Sequence, residues 1–319
     1  MKDVGAREGG AEKEVGTKDL DARMSFTRIA RGVYLIDTAP DVLPRAIASY
    51  LVRGEGEAVL IDVGYRSTSK QLLRALDSIG LGVEELRWIV LTHVHLDHCG
   101  AVAEVLERYP RASVLVHRRG QRHLISPEKL LDSARSIFGD EALRKMGGME
   151  GVPEDRVKVA EDDAEVVLPG ITLRLFETPG HAPHHISVLI EPYRYVVTGD
   201  ALASRGPRYP EPIPDTAPPQ FSYEDAVRSV RRIFEHRPRL LLLSHYGPII
   251  SPDDGGEEEI RLLERWIEKV RALKSEGLDP FSITRRIVDE MEEMSHKRLD
   301  VVARNAVLMA VLGIYLSLP

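Results

Sequence analysis

The stretch Leu91-Thr92-His93-Val94-His95-Leu96-Asp97-His98-Cys99-Gly100 places three histidines and one aspartate within six residues. The residues before it, 86–91, are apolar and favour β-structure, which predicts a short buried strand. The residues after it, 101–109, predict a helix that ends before Pro110. The cluster is therefore expected on the loop between a strand and a helix, where α/β folds commonly bind ligands.

The spacing of these side chains favours metal binding. His93 and His95 are two residues apart and would share one face of an extended backbone; Asp97 continues that alternation, and His98 begins to turn away. Imidazole nitrogen together with carboxylate oxygen is typical of a catalytic transition-metal site. A solvated polar loop is the alternative, but it does not explain four ligand-type residues directly after a buried strand.

The segment from Thr92 to His98 resembles the T-H-x-H-x-D-H signature of the metallo-β-lactamase superfamily. That family includes glyoxalase II, lactonases, persulfide dioxygenases and β-lactamases. The resemblance implies an α/β fold, the four-layer αββα sandwich, here with a C-terminal helical extension. One departure is that Gly100 is followed by Ala101, where family members often have a second glycine.

Three later segments resemble further elements of the family. Each follows a predicted strand: Thr178-Pro179-Gly180-His181, Thr198-Gly199-Asp200 and Ser244-His245-Tyr246-Gly247. The resemblance implies two metal ions, one held by His93, His95 and His181, the other by Asp97, His98 and His245, with Asp200 bridging both.

Other polar residues near these motifs have two interpretations each. Asp62 ends a predicted strand and is either a hydrogen-bond partner of a ligand histidine or a simple turn carboxylate. His117 and His123 are expected at the surface or along a pocket, and His184 and His185 are expected to orient neighbours or line the pocket.

The implied chemistry is hydrolysis. A hydroxide held between two divalent cations would attack the carbonyl of a thioester, lactone or related ester. Zinc is the expected metal, and iron or manganese are the alternatives. Asp97 would orient the nucleophile or pass a proton. One alternative is a mononuclear iron persulfide dioxygenase using Asp200 with His93, His95 or His181, and another is a noncatalytic binding protein on the same fold.

Composition narrows the choice of partners and compartment. The chain has 319 residues, with 43 basic and 50 acidic side chains and a net charge of −7. This balance disfavours nucleic acid and anionic membranes, so a small-molecule substrate is expected. The single cysteine, Cys99, excludes an intrachain disulfide and favours a reducing, cytoplasmic location. Cys99 itself is expected to be a small buried residue rather than a ligand or redox thiol.

The chain divides into three predicted parts. Residues 1–24 are rich in charge and glycine, lack the apolar core of a signal peptide, and predict a disordered tail. Residues 25–255 would form the metallo-β-lactamase-like domain, with pocket walls at 118–156 and in the proline-rich stretch 203–221. Residues 256–319 predict a C-terminal helical subdomain. Its last run, 306–318, is shorter than the ~20 residues of a membrane span, so we expect a buried helix and, through it, a homodimer.

Overall fold

The computed structural model describes residues 25–206 and 208–319. The predicted tail therefore lies outside the described residues. The first of two sheets has seven strands in chain order: β1 (Phe26–Ala30), β2 (Val33–Asp37), β3 (Ala48–Arg53), β4 (Ala58–Ile61), β5 (Leu86–Val90), β6 (Ser113–His117) and β7 (Val157–Ala160). The second sheet has six: β8 (Ala164–Leu168), β9 (Ile171–Glu177), β10 (Ile186–Glu191), β11 (Tyr195–Gly199), β12 (Leu240–Leu243) and β13 (Gly247–Ile250).

Helices connect and cover these strands. In chain order they are α1 (Ser69–Ile79), α2 (Leu96–Cys99), α3 (Val102–Arg108), α4 (Arg118–Ile125), α5 (Glu128–Met146), α6 (Tyr223–Glu235), α7 (Glu257–Ser275), α8 (Pro280–Ser295) and α9 (Val301–Ser317). Short 3₁₀ turns occupy Arg66–Thr68 and Glu154–Arg156. The strands β1 to β4 are antiparallel, as the closely spaced strand and turn signals predict. From β4 to β7 the pairing is parallel, which requires the longer helical connections that the chain has there.

Alternating side chains build the layers. In β4, Leu60 packs against helices α1 and α3, whereas Ile61 packs between the two sheets. In the second sheet, Leu175 faces the same inter-sheet core, and its neighbour Phe176 packs against α6 on the outer side. Helices therefore cover the outer face of each sheet, and the fold is the α/β sandwich of four layers, αββα.

The backbone after His95 differs from the sequence prediction. Extended alternation was expected to continue through Asp97, but α2 begins at Leu96. The amides of His98 and Cys99 both donate to the His95 carbonyl at 3.0 Å, which closes a helical turn. Asp97 and His98 therefore leave from a helix, and the prediction of extended backbone there is wrong.

The C-terminal helices form their own core against the proline-rich stretch. Helix α9 begins at Val301, five residues before the apolar run, because the Asp300 carboxylate accepts a hydrogen bond from the Ala303 amide at 2.9 Å. Its inner side is buried, as expected, whereas Leu316 near its C-terminal end is 57% exposed. The homodimer and the domain boundaries stay predictions. Within residues 25–206 and 208–319, every helix is too short or too polar to cross a membrane.

Candidate metal centre

All of the predicted ligands meet where strands of the two sheets end. His93 and His95 follow β5, Asp97 and His98 lie on α2, His181 follows β9, Asp200 follows β11, and His245 follows β12. Their donor atoms form two groups, His93, His95, His181 and Asp200 in one and Asp97, His98 and His245 in the other. The structure thus brings together side chains that are distant in the sequence and separates them into the two sets that the family resemblance implies.

The first group is formed by three imidazole rings. His95 Nδ1 lies 2.9 Å from His93 Nε2 and 2.9 Å from His181 Nε2. Asp200 Oδ2 completes the group at 3.7 Å from His93 Nε2 and 3.5 Å from His181 Nε2. Three ring nitrogens and one carboxylate oxygen therefore surround a single point.

The same carboxylate oxygen also borders the second group. Asp200 Oδ2 is 3.3 Å from His98 Nε2 and 3.4 Å from His245 Nε2. Asp97 Oδ2 lies 3.7 and 3.6 Å from these two nitrogens. Bonds of about 2.1 Å to a tetrahedral zinc ion place its ligand atoms about 3.4 Å apart. The separations around Asp200 Oδ2 match that spacing on both sides.

Outer hydrogen bonds hold three of these rings, those of His93, His181 and His245, with Nε2 facing inward. The Nδ1 atoms of His181 and His245 donate to the backbone carbonyls of Asp215, at 2.8 Å, and Ala46, at 3.1 Å. His93 Nδ1 lies 3.1 Å from the Thr92 hydroxyl, which itself donates to Asp62. A ring that carries its proton on the outer nitrogen presents a lone pair at the inner one, as a metal ligand must.

Asp62 fulfils the first of its two predicted roles. Its Oδ2 lies 2.8 Å from His98 Nδ1 and 2.8 Å from the Thr92 hydroxyl, and its Oδ1 accepts from the Thr92 amide at 2.8 Å. The side chain is only 1% exposed. Asp62 is therefore a hydrogen-bond partner of a candidate ligand, and no simple turn carboxylate.

Burial and charge set the protonation states around the site. Burial lowers the pKa of His93 and His95 well below the usual value, and neighbouring histidines add to this effect. These rings are neutral at pH 7 and can donate lone pairs. Burial also opposes protonation of His98, but the carboxylates of Asp200, Asp97 and Asp62 outweigh it and raise the pKa of His98 well above its usual value. The second group thus has an excess of negative charge that favours a cation.

Two of the buried side-chain atoms that lack a hydrogen-bond partner among the described residues belong to this centre. They are Asp200 Oδ1 and His98 Nε2. Burial raises the pKa of Asp200, yet the adjacent His98 and His245 hold it well below its usual range, so the carboxylate is charged. An unpaired buried carboxylate oxygen is costly unless a cation or another donor satisfies it. The residues present therefore fit a pair of divalent cations.

Two supporting contacts were only partly visible in the sequence. His185 was expected to orient a neighbour, and its Nε2 accepts from the Asp200 amide at 3.0 Å while its Nδ1 lies 2.8 Å from the Thr178 hydroxyl. The contribution of Asp215 was missed, because a backbone carbonyl leaves no signal in residue type. The position of Asp215 in the proline-rich stretch was its only indication.

The remaining predicted polar residues lie outside the two groups. His117 Nε2 is 3.0 Å from Glu177 Oε1, and His123 lies beside His184, with ring centroids 6.4 Å apart. Cys99 is buried, as expected, with its Sγ 3.8 Å from Met149 Sδ. The burial of Cys99 agrees with its expected packing role, and the pocket-lining roles of the histidines stay predictions.

Comparison with known proteins identifies the family. The model of the metallo-beta-lactamase superfamily matches residues 42–245. The chain is 35% identical over 226 residues to the metallo-beta-lactamase fold-containing protein ST1585 of Sulfurisphaera tokodaii, covering 70% of this chain and 80% of that protein. The crystal structure of ST1585 superposes with a TM-score of 0.64 at 32% identity, covering 74% of this chain and 87% of that one. The N-acyl homoserine lactonase AttM of Agrobacterium fabrum is 30% identical over 115 residues, 36% of this chain and 40% of AttM. The seven ligand-type residues, the αββα layers and these matches together show that the chain belongs to the metallo-β-lactamase superfamily.

Proposed function

We propose that this protein is a hydrolase that uses two divalent metal ions to cleave a thioester, lactone or related ester, with zinc as the proposed metal. The observation that carries the proposal is the position of Asp200 Oδ2, which lies 3.3 to 3.7 Å from four imidazole nitrogens of the two groups. A carboxylate at that position suits a bridging ligand, which a site for a single ion does not need. The partial match to a lactonase supports a cyclic or activated ester as the substrate class.

Two cations bound there would acidify a water molecule and polarise a carbonyl oxygen of the substrate. The protein contributes the geometry. One metal position would be surrounded by the imidazole nitrogens of His93, His95 and His181. The other would be surrounded by one carboxylate and two imidazoles, those of Asp97, His98 and His245. Asp97 is the partly accessible carboxylate of the set, with 21% of its side chain exposed. In this proposal its carboxylate accepts a hydrogen bond from a water at the site and takes up its proton.

The test is a set of thioesters, lactones and simple esters assayed with protein of measured metal content. We expect acid or thiol release from at least one class, loss of activity with a chelator, and recovery on adding zinc. Asp97→Asn should reduce the rate by about 10²-fold or more, whereas the matched surface change Asp77→Asn should leave it unaltered. Asp77 is on α1, where it pairs with Arg108 at 2.8 Å.

Metal analysis and oxygen uptake separate this proposal from its alternatives. Two zinc ions per chain with hydrolysis and no oxygen consumption support it. A single iron with oxygen consumption on a persulfide would replace it with the dioxygenase. Metal-replete protein that is inactive toward all three ester classes would contradict the hydrolase.

A further inference from the structure

The ligand His181 is held by a turn that belongs to neither sheet. Its Nδ1 donates to the Asp215 carbonyl at 2.8 Å. We call residues 213–217 the Asp215 turn. The Ser204 hydroxyl donates to the Asp215 carboxylate at 2.9 Å, and Ser204 and Ile213 pair through their backbones at 2.9 and 3.1 Å. The orientation of a candidate ligand thus depends on where this turn lies.

Helix α9 packs directly against the Asp215 turn. The Thr216 hydroxyl donates to the Ala310 carbonyl at 2.8 Å, and Thr216 is only 2% exposed. A Cβ added at Gly313 would overlap the Thr216 carbonyl oxygen, so the helix can approach this closely only because that position is glycine. Glycine in a helix interior costs about 1 kcal/mol relative to alanine. Glycine at position 313 therefore lowers the intrinsic stability of the helix but permits the close contact with the turn that holds His181.

Helix α7 contacts residues 203–205, which precede the Asp215 turn in the chain. Glu259 is 6% exposed, forms an ion pair with Arg205, and accepts from the Ala203 amide at 3.4 Å. The segment after Asp200 is therefore attached to the C-terminal helices near both of its ends. Those helices lie beyond residue 245, where the match to the family model stops.

We infer that helix α9 positions His181 for metal binding by holding the Asp215 carbonyl in place through Thr216 and Gly313. The inference rests on the proposed metal site. Thr216 and Gly313 are positioning residues, since neither lies among the ligand atoms. Loss of an outer partner of a ligand histidine typically weakens metal affinity by about 10- to 100-fold. Displacement of the turn should act in the same way.

Two variants and one control test the inference. Thr216→Val removes the hydroxyl with little change in shape, and Gly313→Ala forces the turn away from α9. Thr284→Val is the matched control, because the Thr284 hydroxyl donates to the Pro280 carbonyl at 2.8 Å within α8, remote from the ligands. Zinc dissociation constants are measured by competition with a chromophoric chelator, alongside circular dichroism and urea unfolding of the metal-free proteins.

We expect one of the two zinc-binding steps to weaken about tenfold or more in Thr216→Val and further in Gly313→Ala, with both steps unchanged in Thr284→Val. A purely structural role would lower the urea midpoint without changing either constant, and that result overturns the inference. If Gly313→Ala does not fold, Thr216→Val decides. If the wild-type protein binds no zinc, the proposed function itself is contradicted. If the wild type binds zinc and the variants bind it equally well, only this inference is contradicted.

Discussion

Replacing Asp62 by asparagine should weaken metal binding by reversing the proton arrangement of His98. Asparagine keeps the shape of the side chain and tolerates the left-handed backbone at this residue, where φ is 57°. If its carbonyl retains the bond to the Thr92 amide, its NH₂ group occupies the place of Oδ2, 2.8 Å from His98 Nδ1. His98 Nδ1 must then accept, so in the neutral ring that a metal requires the proton lies on Nε2, the atom that faces Asp200.

The expected loss in zinc affinity is about 10- to 100-fold, or roughly 1.4 to 2.7 kcal/mol. Replacing charge-assisted hydrogen bonds by neutral ones should also lower the free energy of unfolding of the metal-free protein by about 1–3 kcal/mol. Chelator competition measures the first quantity, and urea unfolding measures the second. Separate measurements are needed because an unstable apoprotein also weakens apparent binding.

Asp279→Asn is the matched control. Asp279 precedes α8 and accepts from the backbone amides of Phe281, at 2.9 Å, and Ser282, at 3.2 Å, and among the described residues it is hydrogen-bonded to none of the candidate ligands. It should lose stability without a specific loss of zinc affinity. Equal zinc affinity in Asp62→Asn and wild type would refute the argument from ring orientation.

Three further changes probe the site and its surroundings. Asp200→Ala should reduce bound metal to one ion per chain or fewer and lower activity by about 10²-fold or more, since its Oδ2 borders both groups. Two ions retained per chain, by elemental analysis, would contradict a bridging role. Burial lowers the pKa of His184 to about 3 from the usual 6.5, so the folded state resists protonation and loses stability as pH falls from 6.5 toward 3, by about 1.4 kcal/mol per pH unit. His184→Asn should therefore remove about 2 kcal/mol of the stability loss between pH 6.5 and 5, measured by urea unfolding at each pH; an unchanged pH dependence would refute this. Gly180→Ala should cost about 2–4 kcal/mol of folding free energy, because φ is +141° and its Cβ would lie 2.6 Å from Ala226 Cα; a wild-type urea midpoint would refute that estimate.

Much of the fold follows from local patterns. The strand runs, the turn glycines and the ligand-type residues after strands predict much of the order of elements, and the resemblance of the motifs to the family implies which residues cluster in the two groups. These patterns are informative because each motif, such as Thr178-Pro179-Gly180-His181, combines a backbone requirement with a chemical one in a few adjacent residues. Local sequence is sufficient where both requirements are met locally.

The remaining features depend on contacts between distant segments. The start of α2 at Leu96 depends on the His95 carbonyl, which accepts hydrogen bonds from two backbone amides. The spacing of side-chain types along the sequence does not predict these hydrogen bonds. The link from Asp215 to His181 spans 34 residues and uses a backbone oxygen. The sequence shows Gly313 only as a glycine within an apolar run, and its close contact with Thr216 is visible only in the structure. None of these features is specified by residue type at one position.

Both halves of the chain contribute to the candidate metal centre, with four candidate ligands before residue 99 and three from residue 181 onward. Metal ions bound there would act as removable cross-links between the sheets. At a free-ion concentration a thousand times the dissociation constant, each would add about 4 kcal/mol to the folded state. Chelation should therefore make the protein more susceptible to limited proteolysis and lower its melting temperature, so that metal supply would govern its lifetime as well as its chemistry.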